Sequence, residues 1–193
     1  MLQLITYPHP TLRYPSKPLA RVDAQLKGMI AEMFEIMYLH RGVGLAANQV
    51  NLPLRLFVAN PTGEKETGEE LVFINPVIKR ATGTAESEEG CLSLPGVNAT
   101  VKRNKTVHVN AYGLDGKEID REVDGFLSRI IQHETDHLDG VLFIDRLIDE
   151  SKKMVLEELE GLESTFLMKR KAGLIGSEEQ LAAERQRWES HYC

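Results

Sequence analysis

The chain has 193 residues and a formal charge of -6, with acidic and basic side chains mixed along its length. That length suits one domain with a full core, and the acidic balance argues against nonspecific nucleic-acid binding. No apolar run is long enough to span a membrane, and the N-terminus lacks the basic-then-apolar pattern of a signal peptide. A cytoplasmic protein with no membrane and no nucleic-acid partner is expected. Of the two cysteines, Cys193 ends the chain, where a structural disulfide is not expected, which leaves Cys91 as a core thiol or a metal ligand.

In chain order, residues 3–21 contain Pro8, Pro10, Pro15 and Pro18 and read as an extended arm lying on the body. Asp23 caps a helix whose apolar face is Leu26, Met29, Ile30, Met33, Phe34 and Met37, with Gly42 as its end. Gly42-Val43-Gly44-Leu45-Ala46-Ala47-Asn48-Gln49 crowds small residues as close backbone approach requires. It lacks the Gly-Lys-Ser/Thr ending of a phosphate loop. Gln49 by itself reads as a satisfied core amide. Leu54–Ala59 and Leu71–Ile74 read as strands around a polar loop, with Asn75-Pro76 ending the second and Val77-Ile78 opening a third. The acidic run Glu86–Glu89 before Gly90 and Cys91 reads as a solvated loop or as a partner for an amine or a basic side chain. Val101–Tyr112 alternates as a strand with His108 on its polar face, and Asp115-Gly116 turns it back through Ile119–Val123 as a hairpin. Val141–Ile144 reads as a short apolar strand. From Ser151 the pattern is helical, with Val155, Leu159, Leu162 and Phe166 on one face, a break at Gly173 and Gly176, and a capping box at Ser177–Gln180. This tail is expected to be appended and partly mobile.

Between the hairpin and the tail lies Gln132-His133-Glu134-Thr135-Asp136-His137. In a helix His133 and His137 stand one turn apart on one face and can grip one metal ion, with Glu134 beside them as a general base. Phe126 and Ile130 extend the histidine stripe. Leu127, Ile131 and Leu138 extend its neighbour, so the helix is buried over most of its surface. Asp124 is the expected N-cap and Gly140 the stop. A buried helix carrying two histidines and a glutamate needs partners or a ligated ion. A plain surface helix is the alternative. A catalytic centre needs a third protein ligand. Asp139, Asp145, Asp149 and Glu150 lie downstream, and Cys91 lies upstream. A thiolate with two imidazoles is chemically sound for ferrous iron, zinc, cobalt or nickel.

Three motifs together resemble the signatures of the peptide deformylase family, in the family's order. They are Gly42–Gln49, then Glu89-Gly90-Cys91-Leu92-Ser93, then Gln132–His137. The likeness covers roughly residues 2–148, and the short spacing resembles the compact bacterial class. It implies an α+β fold of short, mostly antiparallel strands around a central metal-binding helix. Residues 1–150 form the catalytic domain and residues 151–193 a C-terminal helical extension of it. It further implies removal of the N-formyl group from the initiator methionine of nascent proteins, by metal-activated water attacking the formyl carbon. Carried over by motif position, Cys91, His133 and His137 hold one divalent ion, ferrous iron natively, with zinc, nickel or cobalt as substitutes. Glu134 is the general base and proton shuttle, and Gln49 with the Leu92 N–H stabilises the oxyanion. The peptide is expected to lie extended beside Val43-Gly44 and Glu89-Gly90. Val43, Phe126, Ile130 and the His133 ring line the methionine pocket. Some members dock on the ribosome through a basic C-terminal helix. The tail here carries at least as many acidic as basic residues, which speaks against that route.

Three competing expectations remain. A peptidase cutting internal bonds would take its third ligand downstream. A silent fold relative would have no use for Glu134. A structural metal site would need a fourth Cys or His, and His9, His40 and His191 are expected at the surface.

Overall fold

The computed structural model describes residues 1–193. The Asp23 carboxylate accepts the Leu26 N–H at 2.9 Å and starts α1 (Ala24–Leu39) as its sequence demands. Strands β1 (Gly44–Ala46), β2 (Leu56–Ala59), β3 (Leu71–Thr82), β4 (Ala85–Cys91), β5 (Leu94–Arg103), β6 (Thr106–Tyr112) and β7 (Glu118–Asp124) follow. After them come α2 (Gly125–Leu138), α3 (Asp149–Met154), α4 (Leu156–Lys171) and α5 (Glu178–Tyr192). One sheet runs β1-β2-β3-β6-β7, every neighbour antiparallel, and β4 pairs with β5 as a separate hairpin. The expected α+β class is what the chain forms.

Strand β2 shows how the layers assemble. Its four apolar residues run without interruption because both faces are covered. Leu56 and Val58 pack with Leu26, Ile30, Met33 and Met37 of α1. Phe57 and Ala59 turn the other way, towards Ile130, Ile131 and Leu138 of α2. The methionines of α1 are therefore core. Burying each such side chain contributes roughly 1.5–3 kcal/mol. Helix α2 thus lies in the interior, between the sheet and the β4–β5 hairpin.

Several expectations change. Leu71–Thr82 is one strand, not two: Asn75 takes a left-handed φ of 53° and the register shifts between Ile74 and Val77, so Pro76 sits at a bulge. Val101–Tyr112 is the end of β5 and the whole of β6, in different sheets, parted at Asn104-Lys105. The acidic run before Cys91 is strand β4. Val141–Ile144 is not a strand. Gly140, at φ 75°, turns the chain back so that the Val141 N–H bonds the Asp136 carbonyl, and Phe143–Arg146 winds into a 3-10 helix. Helix α1 ends one residue early, with Arg41 rather than Gly42 in the left-handed position. His9 is buried and stands edge-on to Phe166, because the tail covers it. His40 and His191 are exposed as expected.

The arm and the tail are both tied to the body. The Ile5 N–H bonds the Gln49 carbonyl and the Tyr7 N–H bonds the Ser93 carbonyl, each at 2.8 Å. The tail buries Val155, Phe166, Leu181 and Tyr192. Its end is anchored by Ala20 N–H to the Tyr192 carbonyl and by the Tyr192 hydroxyl to Asp23.

Candidate active site

Helix α2 carries the His-Glu-x-x-His motif, and ten of its fourteen residues are buried. Its Asp124 cap position makes no side-chain bond to the first turn. One turn of helix separates His133 from His137, and their rings stand 5.0 Å apart at 69°. Cys91 arrives from the end of β4, and its Sγ lies 3.2 Å from His137 Nε2. One ligand atom from each of Cys91, His133 and His137 falls within 4.8 Å of the others. Of the downstream carboxylates, Asp139 pairs with Arg55 and Asp145 with Arg13 and the Leu142 N–H, while Asp149 and Glu150 are exposed in the first turn of α3 and outside the cluster.

The surroundings fit a cation. Burial would lower the His133 pKa, yet Cys91 and the Glu89 carboxylate outweigh it and raise it to about 10. His137 is pushed well below its usual value, by burial first and then by His133. One sulfur and two imidazole nitrogens brought this close are a donor set that suits a divalent ion. His133 offers its Nε2 to that centre because its Nδ1 is held 3.0 Å from Glu89 Oε2.

Glu134 is 4 % exposed, and burial raises its pKa to about 7. Its Oε2 has no partner, and a Cβ on Gly44 would lie 2.5 Å from its Oε1. The close approach read from the glycine-rich stretch is thus between β1 and the carboxylate of α2. Gln49 is a buried amide bonded at both ends. Its Oε1 accepts the Ala46 N–H at 2.8 Å, and its Nε2 lies 3.1 Å from Ser93 Oγ and 3.5 Å from Cys91 Sγ. Leu92 occupies the turn after β4, and its N–H donates to no other group of the turns and loops.

These groups open into a cleft of about 350 Å³. Val43 and Gly44 form one wall, Glu89, Gly90 and Leu92 the other, and Phe126, Ile130 and His133 line it from α2. Phe126, 55 % exposed, stands at the mouth. Glu89 shares this lining, but its carboxylate turns inward. Arg103 grips it with Nε and Nη2 at 2.6 and 2.9 Å, and Arg129 adds Nη1 at 2.5 Å. Burial would raise the Glu89 pKa, but His133 and Arg103 hold it well below the carboxylate range. Arg103 Nη1 reaches Asp136 at 2.6 Å, and Arg146 closes on the same carboxylate. Sequence reasoning missed Arg103, Arg129, Asp136 and Arg146. Arg129 and Asp136 had a signal, since they sit on α2 at four residues before and three after His133 and are buried there.

Polypeptide deformylase is the family model that matches, over residues 1–168. The chain belongs to the peptide deformylase family. A peptide deformylase of Rhodopirellula baltica is 49% identical over 191 residues, 99% of this chain and 95% of the relative. A plant peptide deformylase crystal structure superposes with a TM-score of 0.85 at 40% identity, covering 92% of this chain and 95% of that one. The Legionella pneumophila peptide deformylase structure gives 0.78 at 38% identity, over 86% of this chain and 98% of that one. Deformylases are metal-dependent hydrolases that remove the N-formyl group from newly made proteins, and this is the chain's reaction. Formylated nascent peptides are its substrates and a divalent ion its cofactor. No helix is long and apolar enough to cross a membrane.

Proposed function

We propose that Cys91, His133 and His137 hold the ion, that Glu134 moves the proton, and that Gln49 Nε2 and the Leu92 N–H receive the oxyanion. The observation carrying this assignment is that Gln49, Cys91, Leu92, His133 and Glu134 converge on one cleft from the 3-10 turn at Ala47–Val50, β4, its turn and α2, with His137 buried behind them within ligand distance of Cys91 and His133. A bound divalent ion supplies Lewis acidity, which acidifies water and polarises the formyl oxygen. Glu134, with its pKa near 7, takes the proton of the attacking water and passes it to the leaving amine. As the formyl oxygen gains charge, the Gln49 amide and the Leu92 N–H stabilise it. Ferrous iron is the native ion in this proposal, and zinc, nickel and cobalt suit the same sulfur and nitrogen donors.

Val43 and Gly44 on one wall and Gly90 on the other offer backbone groups to an extended peptide, which adds as a strand and reads few side chains. Glu89 serves indirectly, by orienting His133. Val43, Phe126, Ile130 and the His133 ring enclose the methionine side chain. The enzyme acts in the cytoplasm, where formylated chains are made. Residues 1–150 carry the chemistry and residues 151–193 brace the arm, since Phe166 covers His9. The first turn of α4 is acidic, Glu157 and Glu158, so docking on ribosomal phosphates through it is not part of this proposal.

The test is hydrolysis of formyl-Met-Ala-Ser and acetyl-Met-Ala-Ser by protein purified anaerobically with ferrous iron. Formate released from the first and no acetate from the second is the expected result. Cleavage of the Met-Ala bond would reject the reaction in favour of a peptidase.

A further inference from the structure

The cleft carries two charges that the chemistry leaves unused. Its charged lining side chains are Arg41, Glu88, Glu89, Arg129 and Glu134. Glu89 and Arg129 pair with each other below the surface, and Glu134 is buried against Gly44. Arg41 and Glu88 remain. Both are exposed, one after the end of α1 and the other on β4, and neither side chain has an ion-pair or hydrogen-bond partner.

Arg41 has a second peculiarity. It takes a left-handed φ of 56° just after the end of α1, a position where glycine is usual. A side chain with a Cβ is disfavoured there. Glycine stands one residue later, at Gly42, where a Cβ would lie 2.7 Å from Leu92 Cδ1. The chain therefore keeps an unpaired cation on a strained backbone at the rim of its own active site, and strain of this kind points to use.

The geometry sets which part of a substrate meets it. The formyl end belongs beside Glu134 and Gly44. Val43 continues β1, its carbonyl accepting the Asn60 N–H at 2.9 Å, and Gly42 and Arg41 then turn into the end of α1. A peptide added along Val43-Gly44 as a strand advances about 3.3 Å per residue, with side chains alternating between the two sides. Counted from Gly44 at that spacing, the peptide's third residue falls at the end of this edge, where the chain turns to Arg41, and its second faces the other way. Resting on the deformylase reading above, we propose that Arg41 is a specificity-determining residue, pairing with an acidic side chain at the third position of the formylated peptide.

The test compares C-terminally amidated formyl-Met-Ala-Glu, formyl-Met-Ala-Lys, formyl-Met-Glu-Ala and formyl-Met-Ala-Ser, so that no terminal carboxylate confuses the comparison. The iron-loaded enzyme is expected to favour the third-position Glu over Lys in kcat/KM by roughly two- to fivefold, the yield of an exposed ion pair. The difference should lie in KM, shrink in 1 M salt, and be absent for Glu at the second position. Arg41→Glu should invert the Glu-to-Lys ratio. Arg41→Gly should abolish it and raise the melting temperature, since the left-handed strain is relieved. Equal kcat/KM for Glu and Lys in the parent enzyme, or a ratio that persists in both variants, overturns the proposal while hydrolysis of the Ser peptide keeps the deformylase reading intact. No hydrolysis of the Ser peptide overturns both.

Discussion

Gly44→Ala tests the mechanism at one atom. Gly44 is not among the residues with a positive φ, so the substitution brings no backbone strain and acts only through its methyl group. That methyl would lie 2.5 Å from Glu134 Oε1 and 3.0 Å from Ile130 Cγ2, whereas ordinary contact begins at 3.4 Å. The carboxylate must retreat by about 0.9 Å, the difference between 3.4 and 2.5 Å, and Ile130 on α2 limits where it can go. A displacement near 1 Å at a reacting group costs roughly a hundredfold in rate, or about 2.7 kcal/mol of barrier. Stability should change less, since overpacking costs roughly 1–3 kcal/mol and replacing glycine returns roughly 0.4–1 kcal/mol. The assay is steady-state hydrolysis of formyl-Met-Ala-Ser by iron-loaded enzyme, with metal content and melting temperature measured on the same sample. The expected outcome is a kcat lowered about a hundredfold, a KM little changed, and one ion per chain. A kcat within threefold of the parent refutes the role of Glu134's position. Loss of the ion refutes the argument differently, by showing that the methyl acts through the ligands.

Cys91→Ala should neither retain metal through gel filtration nor deformylate, and full activity in that variant would remove Cys91 from the ligand set. Glu134→Ala should hold one ion per chain and barely turn over, and a normal rate would exclude it from proton transfer. Arg103→Lys offers a point charge where a forked guanidinium serves both Glu89 and Asp136. It should destabilise the fold by roughly 3–5 kcal/mol and weaken metal binding by roughly 10- to 100-fold through His133, as read by urea titration and by chelator competition. His9 gives a pH dependence. Burial, then Arg185, lowers its folded pKa from 6.5 to about 4, so between those values the unfolded chain binds the extra proton and stability falls as pH falls. At pH 5 the loss is about 2 kcal/mol and below pH 4 about 3 kcal/mol. His9→Gln should remove that portion of the acid sensitivity, and an unchanged difference in unfolding free energy between pH 7.5 and pH 5 would sink the assignment.

The candidate site was legible because its residues are local in sequence. Two of the proposed ligands and the proposed base share one helix, where spacing dictates geometry, and Cys91 was the one upstream residue of the right softness. Gly44 was legible as a close approach, though not as an approach to Glu134, because that contact joins β1 to a helix some ninety residues later. The errors share one cause. Val141–Ile144 has a strand's composition, but no sheet edge is open to it once Gly140 turns the chain back onto α2. His9 looked like a surface residue because it lies between two prolines in an extended arm, and the residue that stands against it, Phe166, comes from the tail. The acidic run before Cys91 could not be resolved because the partners of Glu89 are Arg103 and Arg129, on β5 and α2.

Glu89 and Arg103 also explain why a buried helix tolerates so many polar groups. Ionised side chains in an interior are costly unless each is matched. On α2, Arg129 is matched by Glu89 and by the carbonyls of Val101 and Ala85, and Asp136 by Arg103 and Arg146. Gln132 is matched by the backbone of Asn104 and Ser128. The two side chains on this helix left with an unpartnered atom at the centre itself are His137, at Nδ1, and Glu134, at Oε2. The ionised side chains of α2 that serve structure are thus matched, while one carboxylate oxygen of Glu134 is left without a partner beside the three donors. The arm reinforces this placement. By bonding the carbonyls of Gln49 and Ser93, it fixes the backbone on both sides of the Gln49 Nε2–Ser93 Oγ contact. The Gln49 amide, the proposed oxyanion donor, is thereby held by main-chain bonds and does not depend on its own rotamer alone.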